Sequence, residues 1–107
     1  MGKKGDKMTG ASTRAAESLQ AALSGLGEIQ IRKMFGGHGI FEDSAMFALI
    51  DSDGKIFFKV DDTNREMYEA AGAPKHGRMP YYAVPDAILE DEQLLTDWAS
   101  RSIQVSK

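Results

Sequence analysis

Hydrophobic residues in this chain change period repeatedly, and each change marks a change of element. Ala16, Leu19, Leu23 and Leu26 recur at helical spacing, so residues 13–26 predict a helix with one apolar face, capped by Ser12 or Thr13 and ended by Gly25 and Gly27. From Glu28 the period drops to two. Ile29 and Ile31 alternate with Gln30 and Arg32, which predicts a strand with one buried side. A second strand follows in Gly37–Phe41, with Glu42-Asp43-Ser44 as a hairpin break. Ala45–Asp51 is apolar on both faces, as expected of a central strand. Asp51-Ser52-Asp53-Gly54 then reads as a turn, and Lys55–Asp61 alternates Ile56, Phe58 and Val60 against Lys55, Phe57 and Lys59.

The helical period returns after Asp62. Thr63-Asn64-Arg65-Glu66 matches a capping box, and Met67, Tyr68 and Ala71 form an inward stripe that stops at Gly72. Residues 73–80 read as a loop, Tyr81–Val84 as a short strand closed by Pro85, and Asp86 as the start of a helical turn. A last helix from about Asp91 carries Leu94, Leu95, Trp98 and Ala99. Strands joined by tight turns, rather than alternating with helices, predict an α+β fold: a single two-layer domain, with helices against an antiparallel meander sheet. Three or four strands precede the second helix and one or two follow it. Residues 1–12, polar and small, are expected to be a disordered leader, and residues 13–107 the domain.

At 107 residues and 42% hydrophobic content the chain suits one modest core. A net charge of −3 disfavours direct DNA binding, which draws its affinity from basic excess. With no cysteine there are no disulfides, thiol nucleophiles or thiolate metal sites, and two separated histidines make a zinc centre improbable. No metal or cofactor is expected. No segment reads as a signal peptide or a membrane span, and the expected location is the cytoplasm.

Three stretches carry candidate chemistry. Gly36-Gly37-His38-Gly39 could suggest a phosphate cradle, but such cradles need a helix after the glycines, and here a strand follows. A bend or a close backbone approach explains the glycines better. His38 could act as a general base oriented by Glu42 or Asp43, though no motif sets a nucleophile beside it. The Asp51–Gly54 run lacks the glutamate of a calcium loop, since Val60 stands six positions after the glycine. Finally Lys55, Phe57 and Lys59, joined by Arg32, would form an aromatic framed by cations if helices cover only the other face of the sheet. The competing expectation is that the terminal helix covers Phe57.

Arg32-Lys33-Met34-Phe35-Gly36-Gly37, Phe58-Lys59-Val60-Asp61 and Tyr81-Tyr82-Ala83-Val84-Pro85 together resemble the TfoX N-terminal domain family, named after the bacterial competence regulator TfoX (Sxy). The likeness spans residues 14–102. It implies a secretion-chaperone-like α+β fold in the order α-β-β-β-α-β-β-α, with Met34, Phe35, Gly36, Gly37 and Gly39 as a structural signature. It also implies a non-enzymatic role in transcriptional control of competence, beside an activator of the cyclic-AMP receptor type. Longer members carry a second, helical domain with no counterpart in this sequence, so the expectation is the N-terminal domain alone. The expected function is therefore a protein-interaction module linked to transcriptional regulation, with another protein, such as a transcription regulator, as partner. A homodimer stays open. The alternatives are a small-ligand or enzymatic domain using His38, and nucleic-acid binding through the cationic sheet face.

Overall fold

The computed structural model describes residues 4–107 except Phe35, with side chains from Gly10 onward. Phe35, one of the five signature positions, thus lies outside the described residues. Helix α1 (Lys4–Ala22) starts well before the cap expected at Ser12 or Thr13. Ser12 is fully buried, so the boundary expected for the leader falls inside the helix. A single 3-10 turn, Ser24–Leu26, leads into the sheet.

Five strands follow the expected meander: β1 (Ile29–Met34), β2 (Gly37–Glu42), β3 (Ala45–Ile50), β4 (Ile56–Lys59) and β5 (Tyr81–Ala83). They lie in chain order, each antiparallel to the next. Between β4 and β5 the chain forms α2 (Arg65–Ala70), and after β5 come α3 (Asp86–Leu89) and α4 (Glu92–Ser106). The turn between β2 and β3 holds Asp43 and Ser44 at φ of 54° and 70°, the left-handed backbone that two-residue hairpin turns require.

Helices α1 and α4 cover one face of the sheet. Leu19, Leu23, Ile40, Phe47, Phe58, Val60, Leu95, Trp98 and Ile103 meet there as the main core. Tyr68 of α2 joins it with its ring 4.7 Å from that of Trp98, and burial pushes its phenol up to about 12. A bulge adjusts β3 to this layer. Ile40 pairs with Ala48 but Phe41 pairs with Met46, so Phe47 is the extra residue. Phe47 and Ala48 therefore both enter the main core, while Leu49 belongs to a second cluster. The strand is apolar on both faces because each face is covered, the one by the helices and the other, at Leu49, by the second cluster.

Two helix ends differ from expectation. The capping box at Thr63 does not form, because Thr63 hydrogen-bonds the Asp61 carboxylate instead. Asn64 accepts from the Asp61 N–H at 2.8 Å and donates to the Lys59 carbonyl at 3.1 Å, tying α2 to the end of β4. In α4 the Asp91 carboxylate caps the N–H groups of Gln93 and Leu94, as a helix starting there needs. Its buried stripe is Leu95, Trp98, Ala99, Ser102 and Ile103, and Leu94 stands 43% exposed, one position off that stripe.

Candidate functional site

The glycine stretch links β1 to β2. Gly36 takes φ of +77° in open space, so the turn alone explains it. Gly37 is different, since a Cβ there would stand 1.9 Å from the Ile50 carbonyl oxygen. At Gly39 a Cβ would meet the sulfurs of Met46 and Met34 at 2.7 and 2.9 Å. Close approach, rather than anion binding, accounts for both, and β2 runs on into a hairpin with no helix to add a dipole.

His38 points the opposite way, into the helix layer, and is 5% exposed. Its Nδ1 lies 2.7 Å from the Ser12 hydroxyl of α1. With the ring neutral and its proton on Nε2, that hydroxyl donates to Nδ1. The expected orienting partners are elsewhere: Glu42 pairs with Lys107 at 3.1 Å, and Asp43 stands 3.9 Å from the same ammonium. A serine beside a histidine resembles a nucleophile and its base, but Ser12 is fully buried, and a substrate could reach its hydroxyl only if α1 moved. As placed, the pair docks α1 on the sheet.

Burial lowers the His38 pKa, the Lys33 charge lowers it further, and Glu17 opposes both. The unfolded chain, with an ordinary histidine near 6.5, takes up the proton first as pH falls. Stability is then complete above that value and declines below it. Urea midpoints should fall between pH 7.5 and 5.5 in the native chain and stay nearly level in His38→Gln; equal slopes would remove His38 as the cause.

The cationic face is assembled only in part. Register places Arg32, Gly39, Leu49, Phe57 and Ala83 in one row across the five strands, on the side away from the helices. Phe57, expected to stand open or to lie under the terminal helix, is 6% exposed and covered by neither route. The loop before β5 folds over it, with the His76 ring edge-on at 4.6 Å, and Leu49, Tyr81 and Ala83 complete the cluster. Backbone bonds from His76 N–H to the Tyr81 carbonyl, and from Ala83 N–H to the Pro74 carbonyl, hold that loop down. Lys59 is half-buried opposite Tyr81, and Lys55 is exposed in the turn before β4, so neither shares a contact with Arg32.

Arg32 instead stacks on Phe41, its guanidinium carbon 5.0 Å from the ring centre. Phe41 was not among the expected site residues. Its signal was diagonal: Arg32 pairs with Gly39, and Phe41 lies two residues along β2 on the same face. Met34 and Met46 flank this uncovered β1–β2 half. Beside it a cavity of about 170 Å³ is lined by Met34, Leu49, Ile50, Asp51, His76 and Met79.

Among the described residues no group of three or more histidine, aspartate or glutamate side chains is placed to hold a metal ion, and no helix is long and apolar enough to cross a membrane. No curated protein matches the chain in sequence. The family model described as TfoX N-terminal domain matches residues 21–106, a span that takes in all five strands, the glycine stretch and helices α2 to α4. The chain belongs to the TfoX N-terminal domain family.

Proposed function

We propose that this regulatory-type domain is a non-enzymatic protein-interaction module acting in transcriptional control in the cytoplasm, and that its docking surface is the β1–β2 half of the sheet. The observation that carries this reading is the unequal covering of the sheet. Helices close one face and the loop before β5 closes half of the other, which leaves exposed Arg32 stacked on half-buried Phe41 with Met34 and Met46 alongside. A cation on an aromatic, ringed by flexible apolar side chains, is the composition of protein contacts. Family membership supports the regulatory role, and the Ser12–His38 pair, sealed in the core, favours packing over catalysis.

A photo-crosslinking residue at exposed Gln30, beside Arg32 on β1, tests the surface in cells, with exposed Gln104 on α4 as the control. The expected result is a discrete adduct from position 30, lost in Arg32→Glu and absent from position 104. An adduct with the mass of two chains identifies the partner as a second copy. No adduct, or one indifferent to Arg32→Glu, overturns the reading.

A further inference from the structure

Of the four methionines with described side chains, three gather on the helix-free face: Met34 from β1, Met46 from β3 and Met79 from the loop before β5. Glycine makes room for them. The Met34 and Met46 sulfurs both lie within 2.9 Å of the point where a Gly39 Cβ would sit, so the two thioethers are neighbours over a floor without side chains. Met34 also lines the cavity beside them, together with Met79 and His76. His76 completes the donor set. Its Nδ1 is buried without a hydrogen-bond partner, and Nε2 makes no hydrogen bond among the described residues. The imidazole is held in place by Phe57 rather than by polar contacts of its own.

Methionines do serve as gap fillers in irregular cores. Two of them meeting over a glycine floor, with a third across the adjoining cavity beside an imidazole that makes no hydrogen bond among the described residues, is a narrower arrangement. Thioethers are neutral, soft and polarizable donors, and with imidazole they select soft ions over zinc, magnesium or calcium. The walls point to a low charge. Leu49 and Ile50 are apolar, so a monovalent ion loses less hydration energy there than a divalent one. Asp51, whose Oδ1 accepts from the Asp53 and Lys55 N–H groups, also lines the recess and supplies a single negative charge nearby.

We propose that this recess binds one soft monovalent metal ion, Cu(I) or its redox-inert analogue Ag(I), through the thioethers of Met34 and Met79 and the imidazole of His76, with Met46 as a fourth donor. The site shares Met34 and Met46 with the docking surface proposed above, but none of its donors comes from a partner, so silver binding by the free chain tests it apart from that reading.

Silver nitrate titrated into the intact chain in chloride-free buffer, followed by calorimetry and by NMR of ¹³C-methyl methionine, tests it. One equivalent should bind, shifting the methyl signals of Met34, Met46 and Met79 and leaving that of Met67 in place. Met34→Leu with Met79→Leu preserves side-chain volume and should weaken binding about 100-fold, and His76→Gln about 10-fold. Equal affinity in the leucine variant, shifts confined to Met1 and Met8, or displacement of silver by zinc would each overturn the site. Should the leucine variant unfold, the methyl shifts of the native chain decide by themselves.

Discussion

Gly37→Val should abolish the cooperative unfolding transition, at a cost of about 4 kcal/mol or more, which approaches the whole stability of many small domains. The reason is geometric. A side chain at position 37 starts 1.9 Å from the Ile50 carbonyl and about 3 Å from the Asp51 backbone, and backbone in a central strand cannot step aside as a side chain can. The neighbouring glycines make the prediction specific. Gly36 has open space and pays only for its left-handed φ of +77°, so Gly36→Ala should cost about 1–2 kcal/mol. At Gly39 the obstacles are the flexible ends of Met34 and Met46, and Gly39→Ala should fall between the two. Urea denaturation of the three variants gives the order directly. A mild Gly37→Ala, comparable to Gly36→Ala, would show that β2 and the end of β3 do not approach this closely.

Phe47→Ala should cost about 3–5 kcal/mol, as for other fully buried aromatic residues. Phe47 has no exposed surface, and its ring centre lies 6.1 Å from that of Phe58. Its neighbour Met46 is half-buried on the other face, so Met46→Ala should cost under about 1.5 kcal/mol. The contrast tests the bulge. Without it, Phe47 would share a face with Leu49, in the small cluster under the loop, and its loss would couple to Phe57. With it, a double-mutant cycle should show Phe47 coupled to Phe58 and nearly independent of Phe57.

Much of the fold is legible along the chain because its signals are local. The two-residue period of Ile29 and Ile31, the turn residues at Asp43-Ser44 and Asp51–Gly54, and the stripe of Leu95, Trp98 and Ala99 each act within a few residues. The glycine stretch belongs here too, since a cluster with no helix after it already argues for close packing over anion binding. The larger failures share one form, in which a residue's surroundings come from far along the chain, as with Phe57 under the loop that carries His76. Thr63 is the local exception, its hydroxyl taken by the Asp61 carboxylate two residues back while Asn64 ties the turn to β4.

The candidate site shows the same division. Arg32 was recognisable as an exposed cation on a strand, but its stacking on Phe41 needs the register of two strands. The sequence by itself determined most of the strands and helices, though not where α1 begins, that the sheet is an antiparallel meander, and that Gly37 and Gly39 stand where side chains do not fit. Only the tertiary structure decided that α1 reaches back to set Ser12 on His38, that the loop before β5 rather than a helix closes over Phe57, and that Met34, Met79 and His76 share one recess with Met46 beside it. Period and turn chemistry are short-range properties, whereas what covers a sheet face depends on segments far beyond that range, whose docking is chosen by the packing of the whole chain.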